Sequence, residues 1–187
     1  YKGSENNYEL YTLLNLDDSD FKIDEIQYLK KRNIPSKLEI LLNKSINGFN
    51  LQKISFKENK NYISIDNLYI SDDFKLQSVD KIDANFLNSK GVKNNFQIKK
   101  NSNNYQFIGN QIDGEKIIEK LLNSNNETKI SNFFDNLNTS VILNLEKVYL
   151  EKNEYLKKFA GEFDIRNNKL ILAKANGVLD KENLFSY

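Results

Sequence analysis

Apolar residues recur along this chain with a beat of fourteen. The hexamers Ile23-Asp-Glu-Ile-Gln-Tyr28, Leu51-Gln-Lys-Ile-Ser-Phe56, Ile65-Asp-Asn-Leu-Tyr-Ile70 and Val79-Asp-Lys-Ile-Asp-Ala84 share one pattern: apolar, polar, polar, apolar, any, then apolar or small. They begin at positions 23, 51, 65 and 79, and Lys93-Asn-Asn-Phe-Gln-Ile98 is a weaker copy on the same beat. Slots 9 and 37 hold the apolar segments Glu9–Leu14 and Lys37–Leu42, without the hexamer pattern. A further copy, Leu145-Glu-Lys-Val-Tyr-Leu150, lies off the beat, so something is inserted before it. Fourteen residues make one strand and a turn, which is the beat of an antiparallel meander. Strict strand alternation places apolar residues at i and i+2. Here they fall at i, i+3 and i+5, a one-residue slip that predicts a β-bulge and, repeated over several strands, a curling sheet.

Elsewhere the alternation is clean. Phe159, Gly161, Phe163 and Ile165 share one face of a strand, with Glu162, Asp164 and Arg166 on the other. Arg166-Asn-Asn-Lys169 reads as a hairpin turn, and the returning segment places Leu170 and Leu172 on one face. Glu58–Asn61 and Asn101–Asn104 read as two more turns, and Pro35 marks a loop. Asp113 is a suitable N-cap for a short helix over Gly114–Leu122 with Ile117, Ile118, Leu121 and Leu122 on one face. A polar loop follows, then a second helical turn with Phe133, Phe134 and Leu137 inward. The resulting expectation is a mainly β chain, a curved antiparallel β meander forming an open β-groove of bulged strands with a small helical insertion. A β-repeat region covers 8–112, a helical insertion and polar loop 113–138, and a β meander continuing the groove 139–187.

Composition narrows the chemistry. In 187 residues there are 27 Lys+Arg against 26 Asp+Glu, a net charge of +1, which argues against a nucleic-acid partner. His and Cys are absent, which removes thiol nucleophiles, disulfides, ordinary zinc sites and histidine acid–base catalysis. Asn (30) and Lys (25) are abundant and Arg occurs twice, a bias of AT-rich codons. Three Asn-x-Ser/Thr sequons, at Asn43, Asn126 and Asn138, are about what 30 Asn and 17 Ser+Thr produce by chance. Asp17-Asp-Ser-Asp20 lacks the glycine and distal glutamate of a calcium loop. Asp72-Asp73 reads as a solvated turn. Ser36-Lys37 and Ser89-Lys90 lack a nucleophile elbow, and the seven glycines form no phosphate loop. The expectation is a non-enzyme with no cofactor and no metal, whose functional element is apolar surface. No apolar run is long enough for a membrane helix and no signal peptide opens the chain. The chain opens on Tyr1 and contains no Met, and it reads as an internal segment of a longer protein.

Phe107-Ile-Gly-Asn-Gln-Ile-Asp113, the short helix and polar linker, Val141–Leu150, Tyr155-Leu156, Phe159-Ala-Gly-Glu-Phe163 and Lys169–Gly177 follow one another in an order that resembles the AsmA-like family of Gram-negative envelope proteins, in particular its YhdP-like branch. The resemblance is strongest over 100–187. It implies a periplasmic segment of a parent anchored in the inner membrane, built of repeating β-groove units that carry phospholipids between inner and outer membranes. The implied partners are phospholipid acyl chains, adjoining groove segments of the same chain, and the membrane through parts of the parent. On that reading the groove is lined by Leu51, Ile54, Phe56, Ile63, Ile65, Leu143, Leu145, Phe163, Ile165, Leu170 and Leu172. The alternative is a β-rich structural or adhesive repeat without ligand, and a third reading is a polysaccharide-acting enzyme with two carboxylates facing across a cleft.

Overall fold

The structure is a computed structural model, and it describes residues 2–4, 7–116, 118–119, 137–151, 153–179 and 184–186. Ten long strands carry the fold: β2 (Asn7–Asn15), β5 (Ser36–Ser45), β6 (Gly48–Glu58), β7 (Asn61–Ile70), β8 (Leu76–Leu87), β9 (Lys93–Asn101), β10 (Asn104–Asp113), β11 (Thr139–Glu151), β12 (Glu154–Arg166) and β13 (Lys169–Leu179). The short strands β1 (Lys2–Ser4) and β14 (Leu184–Ser186) sit at its two edges, making one 12-stranded sheet in the order β1-β2-β5-β6-β7-β8-β9-β10-β11-β12-β13-β14. The sheet is curved and does not close into a barrel. Between β2 and β5 the chain forms a separate ribbon, β3 (Phe21–Ile23) paired with β4 (Tyr28–Lys30), joined by a 3-10 turn at Asp24–Ile26.

Neighbours pair antiparallel with one exception: β10 and β11 are parallel. Parallel neighbours require a crossover, and the segment 114–138 supplies it. Helix begins where expected: residues 115–116 and 118–119 are helical, Ile118 N–H donates to Gly114 O, and Asp113 Oδ1 accepts from Glu115 N–H as a cap. The rest of that helix, and residues 131–136 of the second helical turn read at 131–137, lie outside the described residues; Leu137, the last residue of that reading, is not helical.

The slipped hexamers explain the register. Leu51/Ile54 on β6, Ile65/Leu68 on β7 and Val79/Ile82 on β8 pair across the sheet as Ile54↔Ile65↔Ile82 and Leu51↔Leu68↔Val79. Three strands therefore slip together, and the skipped residues Gln52, Asn67 and Asp80 stand in one transverse line. Asn67 takes a left-handed φ of 50°, and its Nδ2 donates to Asp80 Oδ2 at 3.0 Å. A second line runs through Asn110 on β10, Glu146 on β11 and Lys158 on β12, between Gly109/Ile112, Leu145/Val148 and Phe159/Leu156. Lys158 is also left-handed, with φ 51°. Where a slipping strand meets a regular one the pairing shifts by one residue, at Leu41/Leu42, Gly109/Gln111 and Lys157/Ala160. The bulges thus bend groups of strands together and leave their apolar side chains on one face.

Two members of the repeat depart from it. The hexamer at 23 is not a bulged strand: its polar pair Asp24-Glu25 forms the 3-10 turn, and Gln27 closes it at φ 53°. The copy at 93 is the unbulged strand β9. The turns at 59–60, 102–103 and 167–168 are as read, each with Asn or Ser at positive φ, and Pro35 lies in a loop.

Because Asn67 occupies a left-handed position in the bulge line, a β-branched residue there is strained while glycine is not. Asn67→Val should lose about 1–2 kcal/mol of stability in urea unfolding, and Asn67→Gly should lose less.

Candidate functional site

The bulge lines place long apolar rows across the sheet, perpendicular to the strands. One row reads Leu14-Leu38-Phe56-Ile63-Ala84-Phe96-Gly109-Leu145-Phe159 from β2 to β12. The adjacent row reads Thr12-Ile40-Ile54-Ile65-Ile82-Ile98-Phe107-Leu143-Gly161-Ala175 from β2 to β13. Five successive isoleucines stand side by side in the second row, and all five are only half-buried. With strands about 4.8 Å apart, ten strands give a trough of about 43 Å. From β6 to β9 the opposite face is mainly polar, and Glu39-Ser55-Ser64-Asp83-Gln97 form one of its rows. Tyr62 Oη and Gln97 Nε2 both donate to Asp83, each at 3.0 Å.

Gly109 interrupts the first row for a steric reason. A Cβ there would lie 2.6 Å from the Asn95 carbonyl oxygen and 2.8 Å from Phe96 Cβ. The bare backbone makes room for Phe96, whose ring meets Phe107 edge-on at 5.2 Å between centroids.

Ten of the eleven residues read as groove lining fall on the trough face. Ile54, Ile65 and Leu143 stand in the isoleucine row, and Phe56, Ile63 and Leu145 in the row beside it. Leu51 lies across the first bulge line, Phe163 faces Val141 and Ala173, and Ile165 faces Leu170. Leu172 does not join them. A shift between Asp164 and Ile165 pairs Leu172 with Asp164, so the extra residue Ile171 turns Leu172 onto the polar face and brings Ala173 to the trough. Strict alternation from Leu170 missed that bulge. Ile40, Ile82, Ile98, Phe96 and Phe107 belong to the rows and were passed over, because their membership depends on cross-strand register.

The β3–β4 ribbon covers one rim of the trough, and at the opposite rim residues 137–139 bond the Asn103 and Asn167-Asn168 tips. At the covered rim the ribbon lays Tyr28 edge-on against Phe56 and Phe86, with centroids 5.7 and 5.5 Å apart, and Phe21 against Phe56 at 5.5 Å. Tyr28 Oη donates to the buried carboxylate of Glu58, which also accepts from Asn61 Nδ2. Burial first, and the Glu58 carboxylate second, push the Tyr28 hydroxyl well above the ordinary tyrosine range. The Asp17–Asp20 loop holds an ammonium group: Lys30, fully buried, donates from Nζ to the carbonyls of Asp17, Ser19 and Lys31. The Ser36 N–H on Asp17 Oδ1 holds that carboxyl below its usual range. Asp113 joins the covering pieces. Its Oδ2 accepts from Gln27 Nε2 of the ribbon and Asn88 Nδ2 of the β8–β9 turn, while Lys116 Nζ reaches Asp24 O.

Toward β10–β13 the trough face is packed. Leu145 and Leu156 are fully buried, in a cluster with Ile112, Leu143, Val148, Phe159, Phe163 and Ala175 against which Ile118 packs. A residual cavity of about 20 Å³ beside Gly114 and Ile118 has room for about one water. Among the described residues no group of three or more Asp and Glu is placed to hold a metal ion, and no helix is long and apolar enough to cross a membrane.

No protein-family model, curated protein or solved structure matches this chain.

Removing the Tyr28 hydroxyl leaves the Glu58 carboxylate buried with one donor fewer. Tyr28→Phe should cost about 1–3 kcal/mol in urea unfolding, and adding Glu58→Gln should recover part of the loss.

Proposed function

We propose that this chain is a groove segment of an AsmA-like, YhdP-like envelope protein that gives phospholipid acyl chains an apolar path between inner and outer membranes. The single observation that supports it is the half-exposed isoleucine row, continuous over five long strands of an open sheet whose other face is mainly polar. An acyl chain laid along such a row gains about 0.8 kcal/mol per buried CH₂. The described trough rows from β5 to β9 bear no charged side chain between Leu38 and Ile98, so nothing there anchors a headgroup and a chain is free to slide. On this reading the segment works in the periplasm, its parent is anchored in the inner membrane, and adjoining segments of the parent extend the trough. Transfer needs no covalent chemistry, so the segment is not an enzyme.

A second reading, a β-rich structural repeat without ligand, draws on the closed packing around Leu145 and Leu156. The two differ in what touches the β5–β9 face. With a photoreactive residue in place of Ile65, in the periplasm of a Gram-negative cell, lipid adducts should form. The same group in place of Ser64, one residue away on the polar face, should give none. Absence of adducts at both positions favours the structural repeat.

A further inference from the structure

The first long strand of the sheet differs from the others in what lies beside it. β1 pairs with Asn7–Glu9 of β2 alone, and among the described residues none pairs with the outer edge of Leu10–Asn15. Both faces of that stretch are open. Leu10 (36%) and Leu14 (41%) are exposed on the trough face, and Tyr11 and Leu13 (56% each) on the other. Leu14 heads a row whose inner members Phe56 and Ala84 are buried.

The edge of a sheet is a template for another strand, and proteins guard such edges with lysine, proline, bulges or short length. Leu10–Asn15 has none of these guards. It holds no charge and no proline, and it pairs with β5 without a register shift. The far end of the sheet is guarded: β13 carries the exposed Lys169 and Lys174, and its pairing with β12 shifts twice.

The stretch fits a copy of itself. Antiparallel strands related by a twofold axis normal to the sheet pair residues of one face, so the axis passes through Thr12 or Leu13. With the axis at Thr12, Leu10 meets Leu14 on the trough face and Tyr11 meets Leu13 on the other, each pair occurring twice. All four exposed apolar side chains then have an apolar partner across the strands. With the axis at Leu13, Tyr11 faces Asn15 and Leu10 is left over. Thr12 stands in line with Ile40, Ile54, Ile65, Ile82 and Ile98, so the Thr12 register sets the isoleucine rows of two copies end to end. β1 lies beside Asn7–Glu9, outside the five pairs of residues 10–14.

We propose that β2 is a dimerisation edge, at which two copies of this chain join antiparallel through Leu10–Leu14 about Thr12 and their troughs become one. The proposal goes beyond the lipid reading and does not depend on it.

The chain has no cysteine, so single cysteines report the register. Cα atoms directly opposite in an antiparallel pair lie about 4.5–5.5 Å apart, within disulfide reach, and diagonal ones about 7–8 Å. On mild oxidation Thr12→Cys should give a disulfide-linked dimer, while Leu13→Cys, though more exposed, should give little. In sedimentation velocity over a concentration series the unmodified chain should pass from monomer to dimer. Leu13→Lys and Tyr11→Lys, on the face away from the trough, should each weaken that association about tenfold, with the circular dichroism spectrum unchanged. A chain that stays monomeric throughout the series overturns the proposal, as do folded lysine variants that dimerise as tightly as the parent chain. Growth past the dimer into long polymers also overturns it, because the two ends of the sheet then meet head to tail. Cross-linking through Leu13→Cys in preference to Thr12→Cys overturns the register about Thr12.

Discussion

Everything in this molecule depends on cross-strand register. A strand that skips one residue sends the rest of its apolar side chains to the wrong face unless its neighbour skips at the same level. Here β6, β7 and β8 skip together, and so do β10, β11 and β12. The skipped positions are all polar, which suits residues whose backbone leaves the ladder and needs another partner. Asn67 shows how that works, since its amide bonds the skipped Asp80 next to it. Twisting and bending are then properties of whole groups of strands, and the rows Leu14–Phe159 and Thr12–Ala175 stay in register across both groups.

The second dependency is electrostatic. The excursion 16–35 and the crossover beginning at Gly114 contain many charges, yet the ribbon of the first lies against Phe56 and Phe86, and Ile118 of the second against the cluster around Leu145. The charges in and beside them are met. The Lys30 ammonium is surrounded by three carbonyls, Glu58 holds a phenol and an amide, and Asp113 collects two amides and a helix-starting N–H. Buried charges without such partners would not survive the loss of water. The covered rim is therefore specified by a few polar contacts around an aromatic cluster.

Much of this was legible in the chain. The strand turns, the clean β12 strand, the helix start at Asp113 and the bulges at 51, 65, 79 and 145 follow from local spacing, because turn chemistry and side-chain parity are local properties. What failed also has a local explanation. The 23 hexamer has the right letters, but Asp24 and Glu25 open a turn instead of a bulge. Leu172 was misplaced because nothing in Lys169–Ala173 marks Ile171 as the extra residue; only the pairing with Asp164 does. The parallel step between β10 and β11 and the covered rim were out of reach for another reason. Tyr28 meets Glu58 and Gln27 meets Asp113 across long stretches of sequence, and no spacing rule connects them.

The same two excursions fix the order in which the molecule is costly to assemble. Most neighbouring strands are joined by turns of a few residues, so their pairing closes a short loop. Only β2–β5, across 16–35, and β10–β11, across 114–138, join long strands through longer segments. Loop-closure entropy rises with length, and non-local pairings are the slow ones. The chain thus divides into two zippers, β5–β10 and β11–β13, and a lone strand β2. One of the segments that must be placed to unite them, 16–35, carries the ribbon that afterwards lies over the rim. For β2, joining the sheet and covering that rim are one event.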